Sequence, residues 1–338
     1  MLSQPISVSF EIGEGRAVSI ETGRLARQAD GAVTVRQGNS VILATVVANK
    51  EPREGQEFFP LIVDYQEKFA SAGRIPGSFF KREGRLNDYE VLVSRLVDRA
   101  LRPLFPEDYF CDVQVLITLI SSDPEVMPDS MACLAASAAL AVSDIPIKEI
   151  ISEVRVARID GSFVVNPTRS ELAKADLEFM IAATEKNLMM VEGEAKECSE
   201  EDLVKALELG HEAIRLQIQA QKELRGKKGV TGKREYTRPV QKEELMEKVT
   251  AFAKDRVYEI SRSGTSKQER SDAYDKLKEE LIASLGEEAA DEDVKLAKKY
   301  FEDLKWEVVR NMILEDRIRL DGRKLDEVRP LAMETEPL

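Results

Sequence analysis

The residues best suited to chemistry lie between Pro76 and Arg85, in the run Pro-Gly-Ser-Phe-Phe-Lys-Arg-Glu-Gly-Arg. Two adjacent rings, Phe79 and Phe80, lead directly into the cations Lys81, Arg82 and Arg85. Flat rings stack on any unpaired base, and neighbouring ammonium and guanidinium groups take the phosphates between bases. The pattern fits a grip on a single nucleic-acid strand that does not read its sequence. Glycine and proline on either side predict a turn or loop with both rings at its tip. The alternative on the same residues is a buried Phe pair beside a solvated charge run.

Charge distribution sharpens the choice. From Lys68 to Arg102 there are eight Lys/Arg against four Asp/Glu, inside a 338-residue chain of net charge −13. A protein that repels phosphate over most of its surface and admits it at one local funnel fits these numbers better than one that coats a duplex. A single histidine, His211, falls on an amphipathic helical pattern over 203–218 and reads as structural. It excludes His-rich metal sites and argues against a Ser-His or Cys-His triad. Cys111, Cys133 and Cys198 are odd in number and widely spaced, so they read as reduced packing residues. Chemistry here has to run on carboxylates, cations, hydroxyls and a hard metal ion.

The Gly-Lys steps near residue 230 invite a phosphate-loop reading, which fails on spacing. Five residues separate Gly226 from Gly232, and Arg234 stands where Ser or Thr should coordinate magnesium. No apolar run reaches the length of a membrane helix, and Glu11 and Glu14 occupy the stretch where a signal peptide would be apolar. A cytoplasmic protein without membrane attachment is expected.

The elements that must position the loop read as follows. Strands are predicted at 6–10, 17–21, 41–47 and 59–63, with glycines 13, 15, 23, 31 and 38 as turns. Residues 87–104 form a helical pattern whose apolar stripe is bordered by Arg95, Arg99 and Arg102. A buried strand at 113–120, an Ala-rich helix at 130–143, a hairpin around Asp160-Gly161, a strand at 177–183 and a long helix at 201–224 follow. Strands plus helices with antiparallel pairing define an α+β layer protein. Residues 225–238 hold six cations, one acid and three glycines, which predicts a flexible linker or surface loop. Residues 240–316 contain no proline and carry three amphipathic helices, a small all-helical domain in which Trp306 packs internally or against a neighbour.

Taken together, these pieces resemble the polynucleotide phosphorylase family, and the resemblance covers the whole chain. The loop is specific to it, as are Arg95-Leu96-Val97-Asp98-Arg99-Ala100-Leu101-Arg102-Pro103-Leu104-Phe105-Pro106 and the terminal Asp321-Gly322-Arg323-Lys324-Leu325-Asp326-Glu327-Val328-Arg329-Pro330-Leu331. The fold implied is α+β: a ribonuclease PH-like core of ribosomal protein S5 domain 2-like βαβ units, then an all-α domain. The implied boundaries are 1–145 and 146–224 for the two parts of the first core, 225–239 for a basic linker, 240–316 for the helical domain and 317–338 for the start of a second core.

The resemblance implies processive 3′-to-5′ phosphorolysis of single-stranded RNA to nucleoside diphosphates, and the reverse polymerisation, by a homotrimeric ring with degradosome partners. Phe79 and Phe80 would then stack bases, and Lys81, Arg82 and Arg85 would contact phosphates. Arg95, Arg99 and Arg102 would make weaker phosphate contacts. Lys81 sits where many relatives carry Arg, which keeps the charge and loses the bidentate fork. Inorganic phosphate is the implied co-substrate, and magnesium the implied ion of the full-length enzyme, held by the second core.

Active cores of this kind hold phosphate on a Gly-Ser-Ser loop and use two aspartates six residues apart. Here the loop reads Pro128-Asp129-Ser130, and the aspartate pair aligns with Asn166 and Leu172. The first core is therefore expected to be catalytically silent, with no catalytic and no metal-binding residue in this chain. Asp123 and Asp129 are also six apart, but their prolines favour turn chemistry over a metal site. A non-catalytic RNA-binding ring or scaffold subunit feeding a separate nuclease is the runner-up. A simple structural dimer module leaves the clustered rings and cations unexplained.

Overall fold

Strand residues that alternate between apolar and polar bury one face and expose the other. In this computed structural model, which describes residues 4–335 other than 14, 54, 57, 78, 80 and 287, that alternation builds two sheets. The first contains β1 (Ile6–Glu11), β2 (Ala17–Thr22), β3 (Gly31–Gln37), β4 (Ser40–Ala48), β5 (Leu61–Glu67) and β6 (Val113–Ser121) in the order β1-β2-β3-β4-β6-β5. On β6, Val113, Val115, Ile117 and Leu119 are buried while Gln114, Leu116 and Ile120 are exposed. Neighbouring strands are antiparallel except β5 and β6, which run parallel. A parallel pair needs a crossover, and α1 (Asp88–Leu101) supplies it. The aromatic-basic loop lies on that crossover, between β5 and α1.

The second sheet has β7 (Ile151–Ile159), β8 (Ser162–Val165), β9 (Leu177–Thr184) and β10 (Leu188–Ala195) in the antiparallel order β10-β9-β7-β8. Helix α2 (Asp129–Ala141) packs against β3 and β4 of the first sheet and β7 of the second, and every residue in it is buried. Alanine and glycine permit that close packing. A Cβ on Gly31 would lie 2.1 Å from the Ala139 carbonyl oxygen. Gly31 is thus not the turn its sequence predicts but the first residue of β3, bare because the helix backbone passes there. The short α3 (Arg169–Leu172) precedes β9, and α4 (Glu200–Lys228) covers the second sheet, with Gly210 against Ile181 and Val156. His211, on α4, bonds through Nε2 to the Thr184 carbonyl at 3.0 Å.

The expected linker at 225–238 begins as the last turn of α4, through Lys228, and continues as a strap held to the core. Lys228 donates to the Val142 carbonyl at 3.0 Å, and Lys233 to those of Leu140 and Ser143 at 2.8 and 2.9 Å. These are carbonyls at the C-terminal end of α2, where a cation meets the negative pole of the helix. Arg234 pairs with Asp30 and Asp144, and the Tyr236 hydroxyl donates to Asp108 at 2.5 Å. The strap is irregular, but Lys228, Lys233 and Arg234 are spent on the fold, while Arg238 stays largely exposed.

Residues 240–338 form a separate compact unit. Helices α5 (Glu243–Arg262), α6 (Lys267–Ser284) and α7 (Asp291–Asp316) enclose a core that includes Val249, Val257, Leu277, Leu281, Phe301 and Val308. Ser266 and Glu269 close a capping box at the start of α6. Trp306 is 65% exposed, with the Arg310 guanidinium 5.5 Å from its ring centroid. Beyond α7, Ile318 bridges Lys324 across the turn at Asp321-Gly322.

Candidate nucleic-acid interface

Two glutamates build the neck of the aromatic-basic loop. At the end of β5, Glu90 Oε1 accepts the Glu67 backbone N–H at 2.8 Å, while Glu90 Oε2 and the Asn87 side chain close a capping box on α1. Two residues further on, Glu83 Oε1 accepts the Phe69 N–H at 2.7 Å, and Glu83 Oε2 lies 3.1 Å from Lys68 Nζ. The Phe69 N–H and Lys68 hold the Glu83 carboxyl below the usual carboxylate range. The two carboxylates thus take alternate N–H groups of one extended segment, as a neighbouring strand would. Between these ties the chain makes a 3-10 turn over Phe69–Ala72, closed by Gly73 in the left-handed region at φ +67°, and then runs irregularly to the Asn87 cap.

The tip points outward. Phe79 is 94% exposed, and Lys81, Arg82 and Arg85 are all exposed. Among the described residues no acidic side chain pairs with these three cations. Phe80 lies outside the described residues. The backbone reversal falls on Lys81, at φ +50°, rather than on Gly77 or Gly84. A left-handed conformation on an L residue costs roughly 1–2 kcal/mol.

The arginines of α1 divide. Arg95 is exposed and has no ion pair among the described residues. Arg99 pairs with Glu192 on β10. Arg102 forks onto Asp98, Nη2 at 2.6 Å and Nε at 3.1 Å, donates to the Phe59 and Leu61 carbonyls at 3.2 Å each, and sits 5.8 Å from the Phe59 ring. Its guanidinium therefore holds the chain entering β5 against the end of α1.

A second candidate place, around the N-terminus of α2, is filled from within. Asp129 is buried and pairs with Arg155 on β7, whose guanidinium also reaches Glu178 on β9. Beside them Glu153 is 1% exposed, and burial, reinforced by the Asp129 charge, pushes its carboxyl up to about 8. Asn166 stands in the left-handed region at φ +47°; its side-chain oxygen accepts the Arg155 N–H at 2.8 Å, and its own N–H donates to the Arg155 carbonyl at 2.7 Å. Leu172, half-buried, ends α3. A spent amide, a hydrocarbon and an aspartate already bound to arginine do not fit a magnesium ion or a phosphate.

The core, its loop and the filled interior define the class: a ribonuclease PH-like α+β fold followed by an all-helical domain. The model of the 3′ exoribonuclease family, domain 1, matches residues 14–146, and that of domain 2 matches residues 149–213. The polyribonucleotide nucleotidyltransferase RNA binding domain matches residues 244–324. Rrp46 of rice (Oryza sativa) shares the fold over 63% of this chain and 94% of its own, at a TM-score of 0.51 and 18% identity. The chain is 51% identical over 335 residues to the polyribonucleotide nucleotidyltransferase of Parabacteroides distasonis and 52% identical over 328 residues to that of Bacteroides fragilis. Those alignments take in 99% and 97% of this chain but 45% and 46% of the relatives, so it spans about half the length of the curated proteins it matches. The chain belongs to the 3′ exoribonuclease family, and over nearly its whole length it is similar to the first half of polyribonucleotide nucleotidyltransferases.

Proposed function

We propose that this chain grips single-stranded RNA at the 68–86 loop for 3′-to-5′ phosphorolytic degradation, and that its own core performs no cleavage. The observation that carries the reading is the loop tip: an exposed Phe79 beside three exposed cations without acidic partners among the described residues. Phe79 and Phe80 stack bases, and Lys81, Arg82 and Arg85 take phosphates. Arg95 adds a weaker phosphate contact from α1. Arg99 and Arg102, although engaged with Glu192 and Asp98, remain exposed enough to add a weak field. The interior ion pair supports the silent-core half of the reading, because Asp129 places a carboxylate where phosphate would have to enter.

In this reading phosphate and magnesium act in the remaining part of a full-length cytoplasmic enzyme, where nucleoside diphosphates are released. The working form is a homotrimer around an RNA channel, with degradosome partners and no membrane contact. No helix among the described residues is long and apolar enough to cross a membrane. The test is RNA binding and phosphorolysis run side by side on this chain. It should bind an unstructured oligoribonucleotide and release no nucleoside diphosphate when phosphate and magnesium are supplied. Turnover by the pure chain would overturn the silent core. The double change Phe79→Ala/Phe80→Ala should cost about 1–3 kcal/mol of binding for each base that no longer stacks. Unchanged affinity in that variant would remove the loop as the grip.

A further inference from the structure

Glu83 is the one acidic residue between Lys68 and Asn87, in a segment otherwise supplied with cations. By Coulomb's law alone a carboxylate there opposes an anionic strand. The geometry gives it a different task. Both oxygens are turned away from the cations of the tip and toward the loop's own base, one onto the Phe69 N–H at 2.7 Å and the other onto Lys68 at 3.1 Å. The next residues in either direction, Arg82 and Gly84, are exposed. The Glu83 tie is therefore a polar contact, among the described residues, that returns this arm to the segment leaving β5.

We propose that Glu83 is the positioning residue of the RNA grip, holding the 81–86 arm against the Phe69–Ala72 turn so that Phe79 and the cations stay presented to solvent. The inference rests on the reading that this loop binds RNA, and it adds a residue that touches no RNA. An ordered loop binds without first losing conformational freedom, so removing the tie lowers affinity even though it makes the loop more positive. Charge and position thus predict opposite signs.

The experiment is fluorescence anisotropy of a labelled single-stranded oligoadenylate on the whole 338-residue chain, comparing Glu83→Ala, Glu83→Gln and Phe79→Ala with the unaltered protein. Glu83→Ala should bind about tenfold more weakly, the size of one charge-assisted hydrogen bond. Glu83→Gln keeps an acceptor for the Phe69 N–H and should bind at least as tightly as the unaltered chain. Thermal melting should be the same in all four proteins, and amide exchange at Phe69 should accelerate in Glu83→Ala alone. Weak binding by Phe79→Ala together with normal or tighter binding by Glu83→Ala would overturn the positioning role and leave the loop reading intact. Unchanged binding by Phe79→Ala would remove the loop reading, and the role of Glu83 with it.

Discussion

At the loop tip Lys81, Arg82 and Arg85 face solvent with no acidic partner among the described residues, whereas in the interior Arg155 is shared by Asp129 and Glu178. Both places resemble anion sites by composition. In the first the cations are available to an external phosphate; in the second the protein supplies its own anion and keeps it dry. A buried arginine without a counter-ion is costly, so Asp129 stabilises the fold and, in the reading proposed above, occupies the place that a phosphate would need. What separates an available arginine from a spent one is the pairing and not the residue type.

The largest effect should come from breaking the interior pair. Asp129→Ala leaves Arg155 with Glu178 as its remaining carboxylate and should destabilise the core by about 3 kcal/mol, measured by denaturant unfolding. A loss well under 1 kcal/mol would show that the pair is not what holds this interior together. Glu153, in the same cluster, gives a pH signature. Its carboxyl is raised from 4.5 to about 8, so between those values the folded chain retains a proton that the unfolded chain has released. The stabilisation is complete below 4.5 and is lost as pH rises toward 8, by up to about 1.4 kcal/mol per pH unit. Glu153→Gln should flatten that slope, and a slope unchanged by the substitution would assign it to other groups.

At the loop the corresponding change should act on binding and leave stability alone. Replacing Lys81, Arg82 and Arg85 by Gln should reduce the slope of log affinity against log salt by roughly 0.7 for each phosphate no longer neutralised. Arg102→Gln should instead lower stability, by releasing the Phe59 and Leu61 carbonyls, and hardly change the salt slope. Equal salt effects from the two sets would erase the distinction between free and spent cations.

Much of the tip was legible because its chemistry is contiguous: two rings and two cations occupy four successive positions. The capping spacing from Asn87 to Glu90 also lies within one helical turn. The neck was not legible, because Glu83 reaches Phe69 across 14 residues and Glu90 reaches Glu67 across 23. The strap misleads for the same reason. Its lysines look solvated in the sequence, yet the carbonyls that Lys233 caps lie 90 and 93 residues away. Strand β3 was hidden behind Gly31, whose role depends on α2, and β10 behind its own exposure, since Met190 is its one buried residue. The interior pair was half visible: Pro128-Asp129-Ser130 shows the carboxylate, but only the fold brings β7 and Arg155 to it.

The helical domain provides the control with the smallest expected effect. Trp306 is exposed beside Arg310, so it satisfies the same local rule as Phe79: a flat ring next to a guanidinium. Its surroundings differ. Residues 240–316 carry 14 Lys/Arg against 20 Asp/Glu, and nearby Lys305 is already paired with Glu302. The net negative charge of the domain as a whole opposes an anionic strand there. Trp306→Ala should therefore change affinity for single-stranded RNA by less than about 0.5 kcal/mol, within the range of an ordinary surface substitution. If it weakened binding as much as Phe79→Ala, charge context would not be the selector, and every exposed aromatic-cation pair in the chain would have to be counted as part of the grip.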